Sequence, residues 1–167
     1  MKKSFSLIII LSLFLIVGCA GQTTIKPEAE FKIKNIKTAS VKVKTLLADC
    51  KEEIEKIEKT LIEKLKEANM FDAIHENTQN TDLIIEIDIE ELAKVTKSDR
   101  FWYGAMAGRA KVGGKVKLIE GFSGKVLGSF YVESLSSGGT VFAGTTQQAI
   151  DDFVNEVVKH LIESTVQ

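Results

Sequence analysis

Much of what marks an enzyme or a nucleic-acid binder is missing from this chain. Its 167 residues include one proline, two cysteines and two histidines. Neither His75 nor His160 has cysteines or carboxylates at ligand spacing, so no metal site is expected. The nucleophile-elbow pattern GxSxG and the phosphate-cradling GxGxxG are both absent, so no motif points to acyl transfer or a nucleotide cofactor. Nor is there a basic surplus: 22 Lys and Arg against 23 Asp and Glu give a formal charge of -1. Without a large positive field, nucleic-acid binding is not expected. The longest apolar run, Phe5 to Val17, covers about 20 Å as a helix. A bilayer core of about 30 Å needs more, so the run is not read as a permanent span.

What is present begins at the front end. Met1, Lys2 and Lys3 precede "SFSLIIILSLFLIVG", a positive segment and an apolar core in the order of an export signal. The run ends at Ile16, Val17, Gly18 and Cys19, which resembles the bacterial lipobox. That resemblance implies removal of residues 1–18, diacylglycerol on the Cys19 thiol and acylation of the new amine, palmitate being a typical chain. Two or more acyl chains hold a protein firmly on a membrane, where one binds only reversibly. In a two-membrane cell, Ala20 after the cysteine resembles an outer-membrane address, with the protein facing the periplasm; in a single-membrane cell the same anchor would leave it on the outer face of the cytoplasmic membrane. Taking residues 1–18 from 167 leaves 149 and removes Lys2 and Lys3, so the charge moves from -1 to -3. One ordinary domain is expected over residues 30–167, after a polar tether at 19–29 that contains Pro27.

Along that domain, "EFKIKNIKTASVKVKT" alternates Phe31, Ile33, Val41 and Val43 against lysines. This predicts a half-buried strand interrupted near "KTAS". "DCKEEIEKIEKTLIEKLKEANMF" predicts a helix capped by Asp49 with Glu52 in the reciprocal position, and stopped by a left-handed Asn69. Cys50 has no partner in the chain once Cys19 is acylated. An intermolecular disulfide or a reactive thiol is one reading. Its place at the head of the stripe Ile54, Ile57, Leu61, Leu65 favours a buried small hydrophobe. Phe71–Ile74 is an optional short strand. "DLIIEIDIEELAKV" puts Leu83, Ile85, Ile87 and Ile89 on one face. "GRAKVGGKVKLIEGFSGKVLGSFYVES" predicts a hairpin in which Val112, Val116 and Leu118 share a face, and so do Val126, Phe130 and Val132. The last helix follows a Gly/Ser loop, with Thr145 and Gln148 as its capping box.

Candidate chemistry is sparse. Glu86, Asp88 and Glu90 share a strand face at about 6.6 Å intervals. They suggest a cation site or an acid/base pair, but Lys111, Lys115 and Lys117 on a neighbouring strand favour a charge-paired surface. Hydrolysis through Glu86, Asp88 or His75 is the least favoured reading. His160 is placed on the polar side of the last helix. In "GAMAG", residues 104–108, glycines easing a loop or bulge fit better than a membrane-helix contact. Phe101, Trp102 and Tyr103 cannot all point inward from an extended segment. Either the segment bends over the end of the core, the favoured outcome, or exposed rings offer a partner contact.

"DLIIEIDIEEL", "GRAKVGGKVKLIEGFSGKVLGSF" and "GTTQQAIDDFVNEVVKHLI" together resemble the bacterial lipoprotein family called domain of unknown function 4410, over roughly Phe31 to Ile162. The family resembles periplasmic α/β domains of the curli-secretion lipoprotein and of lipoproteins that activate cell-wall synthases. The resemblance implies a helix-covered sheet and binding to envelope proteins, with no catalytic residue to transfer. The expected architecture is α/β (α+β). It has a mainly antiparallel sheet of about four strands, two amphipathic helices on one face, and the order β-α-β-β-β-α. The expected function is a non-enzymatic, lipid-anchored accessory domain that binds another envelope component and needs no cofactor. The alternative is a subunit of an oligomeric secretion or pore assembly.

Overall fold

The computed structural model describes residues 21–29, 31–32, 36–75, 81–96, 98, 102–103, 108–138 and 144–165. The signal segment, Cys19, Ile33, Lys34, Phe101 and Gly104 lie outside them.

Strong periodicity dictates the centre. In β4 (Leu83–Ala93), Leu83, Ile85, Ile87 and Ile89 are all buried, while Glu86 and Asp88 point to the other face. Each fully buried aliphatic side chain contributes about 1.5–3 kcal/mol, which fixes the register of such a strand. β2 (Thr38–Thr45) runs parallel to β4, with Val41 opposite Ile85 and Lys44 opposite Asp88. β5 (Lys111–Glu120) and β6 (Val126–Leu135) form the expected antiparallel hairpin. Two further strands complete the sheet: β3 (Ala73–His75) beside β2, and β1 (Gln22–Ala29) beside β6. The order β1-β6-β5-β4-β2-β3 gives six strands rather than about four.

The two helices are α1 (Lys51–Glu67) and α2 (Thr146–Glu163). Ile57, Leu61 and Leu65 of α1 and Ala149, Ile150, Phe153, Val154, Val157, Val158 and Leu161 of α2 are buried in one core with the sheet. The helices also pack on each other, α1 over β2 and α2 over β1, β5 and β6. Ile162, next to the buried Leu161, is exposed.

Several local expectations are corrected. The supposed tether is β1, seven of whose residues pair with β6. An edge strand needs only one packed face, so Ile25 packs on the core and Pro27 is tolerated. Phe31 and Lys32 lie outside any strand, and "TAS" begins β2 instead of interrupting a strand. Asp49 does not cap α1: Cys50 is the N-cap residue, no side chain closes the cap, and Asp49 has φ 58°. Asn69, at φ 50°, is the left-handed stop that was expected. Cys50 is buried, its thiol donating to the Ala48 carbonyl at 3.1 Å. Thr145 accepts from the Gln148 N–H at 3.3 Å, but Gln148 Oε1 accepts from Gly144 N–H and Ser137 Oγ, so only half of the capping box forms. Val126 does not join Phe130 and Val132 inside, because a bulge between Leu118 and Ile119 re-phases the end of the hairpin.

Candidate functional site

The carboxylates of β4 come first. Their face is the one turned away from the helices. Sheet register sets Glu86 between Lys42 and Lys117, and Asp88 between Lys44 and Lys115. Lys44 Nζ lies 3.0 Å from Glu86 and 3.2 Å from Asp88, and Lys117 Nζ lies 2.7 Å from Asp88. Burial works to raise the Asp88 pKa, but hydrogen bonds from Lys117 and Lys44 outweigh it and hold the carboxyl below its ordinary range. Lys44 and Lys117 are pushed up, mainly by their bonds to Glu86 and Asp88 respectively.

Glu90 does not belong to this row. It is the extra residue of a bulge between Ile89 and Glu91, and Glu91 takes the ion pair with Lys111, which also reaches Glu133. At the edge, Lys115 pairs with Glu28 of β1. The expected cross-strand charge pairing is therefore present, with Glu91 in place of Glu90. A general acid needs a raised pKa; the Asp88 pKa is lowered, and two lysines hold its carboxylate ionised. Among the described residues, no group of three or more His, Cys, Asp or Glu is placed to hold a metal ion.

The histidines stand apart from this face. His75 is exposed on the edge strand β3. His160 is not on a purely polar side: its ring meets Phe130 edge-on at 4.5 Å and Phe31 at 5.8 Å. Phe31 stacks on Phe130 at 5.9 Å, directly over Gly128, where a side chain would collide with it. This cluster closes the core at the end of the sheet far from the start of β1.

The opposite end is different. Trp102 and Tyr103 are 75% and 66% exposed, so the expected folding of these two rings over the core does not occur. In the chain they fall in the connection from β4 to β5. Leu46 and Leu47, which the sequence reading passed over, follow the last residue of β2 and are exposed too. A signal existed: in "VKVKTLL" the alternation ends in two adjacent leucines, which cannot both face inward. A cleft of about 520 Å³ lies beside them, between Lys44, Asp88 and Glu90.

Comparison with known proteins identifies the fold. A family model described as "Domain of unknown function (DUF4410)" matches residues 22–139. No curated protein matches in sequence. Among solved structures, a PelC dodecamer from Paraburkholderia phytofirmans superposes with a TM-score of 0.60 at 17% identity, covering 87% of this chain and 100% of that one. Protein XCC0632 from Xanthomonas campestris, of the DUF330 family, superposes with a TM-score of 0.53 at 13% identity, covering 86% of this chain and 94% of that one. At such identities the likeness is one of fold.

Proposed function

This chain belongs to the family described as domain of unknown function DUF4410, and from that premise we propose a lipid-anchored lipoprotein of the cell envelope. Its domain is a non-catalytic accessory module, held through acylated Cys19 at the periplasmic face of the outer membrane. There it binds another envelope component.

The observation that supports this reading most is the start of β1. Gln22 is already paired in the sheet, three residues after Cys19. An acylated cysteine at that position needs no separate spacer, because the domain begins where the lipid ends. The ion-paired carboxylates argue in the same direction, since they are poorly suited to acid/base chemistry. Mass spectrometry of the protein purified from its native membrane tests the anchor. The expected N-terminus is Cys19 carrying a diacylglycerol thioether and an acylated amine. An intact leader with a free thiol would end the proposal.

A second reading has one observation in its favour. The PelC structures that share this fold are dodecamers. By analogy, this chain would be one subunit of an oligomeric envelope assembly. Native mass spectrometry of the acylated protein in detergent distinguishes the two, a single subunit mass removing the oligomer.

A further inference from the structure

Sheet register ties the entry of the chain to an apolar surface that the core does not use. Gln22 pairs with Leu135, Leu135 with Lys111, and Lys111 with Ala93. The first residue of β1 is therefore level with the ends of β6, β5 and β4. Just before it, Gly21 lies against the Leu135 carbonyl and the Asp152 side chain of α2. Cys19 is two residues further back, and two residues of extended chain reach about 7 Å. On the reading of Cys19 proposed above, this end of the sheet lies against the bilayer.

Two segments that leave the sheet at this end carry large exposed side chains. Trp102 and Tyr103 belong to the connection that leaves β4 after Ala93 and enters β5 at Lys111. Leu46 and Leu47 follow Thr45, whose hydroxyl donates to the Ile89 carbonyl in β4. Phe122, also exposed, sits in the β5–β6 turn, a strand length away at the far end.

Chemistry selects the occupant. Tryptophan and tyrosine rings favour the boundary between headgroups and acyl chains, where the ring is buried and its polar tip stays wet. With residues 1–18 removed the formal charge is -3, so attraction to anionic headgroups does not drive the contact. We infer that this end of the domain is a second, non-covalent membrane contact. Trp102 and Tyr103 seat in the bilayer interface, Leu46 and Leu47 enter beside them, and the domain is held in one orientation.

Trp102 is the only tryptophan in the chain, so the intact protein is its own probe. The acylated protein is reconstituted into phosphatidylethanolamine/phosphatidylglycerol vesicles, with and without brominated phosphatidylcholine. Cys19 acylation is verified by mass spectrometry on the same sample. The reference is Phe122→Trp in a Trp102→Phe background. Acrylamide is expected to quench Trp102 several-fold less than the tryptophan at 122. Brominated lipid is expected to quench Trp102 alone, equally at low and high salt. Leu46→Glu combined with Tyr103→Asp is expected to return Trp102 to acrylamide. If Cys19 is acylated and Trp102 is as accessible as the reference, the membrane contact is wrong while the anchor stands. Protection from acrylamide without quenching by brominated lipid assigns the surface to a protein, a second copy included, and overturns the inference. An unmodified Cys19 removes the anchor, and this contact falls with it.

Discussion

At Asp49 the chain passes through a left-handed conformation, φ 58°, on its way into α1. A residue with a Cβ gives up about 1–2 kcal/mol there, and glycine does not. Asp49→Gly is accordingly expected to leave stability unchanged or raise it by up to about 1 kcal/mol in urea denaturation. Were Asp49 a helix cap, the same change would still cost a few tenths of a kcal/mol, and Asp49→Ala about 1 kcal/mol. Gly121 presents the opposite case. Its N–H donates to the Asp82 carbonyl, and a Cβ there would enter the Thr81 carbonyl oxygen. That neighbour is backbone and cannot swing aside. Gly121→Ala is expected to lower stability by about 2 kcal/mol or more, as overpacking against a fixed wall does. A change below about 0.5 kcal/mol in the same assay would mean that the turn relaxes freely.

Among the elements, β1 is the one whose removal says most. Deleting residues 22–29 from a tether would leave the domain intact. Deleting a strand that is paired from Gln22 to Ala29 strips one edge of β6 and uncovers Ile25's site on the core. With each lost hydrogen bond contributing about 1 kcal/mol, a drop of several kcal/mol is expected in the denaturation midpoint analysis. An unchanged midpoint would restore the tether. The sequence made β4, α1, α2 and the β5–β6 hairpin legible because each buries a full periodic face. β1 was illegible because an edge strand needs only Ile25, and Thr, Lys and Pro around it look like linker. Phe31 misled in reverse, its alternation with lysine matching a strand while its ring in fact caps Phe130 and His160. The bulge at Glu90 has no sequence signal short of the glycine pair opposite it, Gly113 and Gly114. Cross-strand pairing on the charged face was readable from residue spacing alone, whereas Leu46 and Leu47 needed the end of β2 to be known.

For the molecule as a whole, the shifted carboxylates set the response to acid. The Asp82 carboxylate accepts from the Thr38 N–H, the Lys37 N–H and the Thr38 hydroxyl, and these hold its pKa down. Asp88 is also held down. A carboxyl whose folded pKa is lowered contributes stability above its unfolded value, near 4, and loses it as pH falls through the folded value. Asp152 and Glu58 act in the opposite sense: burial raises both, with Asp151 and Glu55 adding to it, so they favour the fold more as pH drops. Lys44, Lys111 and Lys117 are raised, and their contribution lasts until pH passes the ordinary lysine range. Thermal melts are expected to be flat from about pH 9 to pH 5 and to fall below about pH 4. Asp82→Asn should lower the neutral plateau and shallow the acid limb. An acid limb as steep as that of the unaltered protein would remove Asp82 from the account.

The pairing of β1 with β6 also has a mechanical meaning. With the lipid on Cys19 as proposed above, tension on that anchor enters at the N-terminal tip of β1 and runs along that strand's axis. The bonds to β6 lie across that axis, so they are loaded together in shear, where a hairpin pulled from its tip would unzip bond by bond. On that proposal the domain is joined to its tail by the shear geometry of β1 against β6, which loads its bonds together.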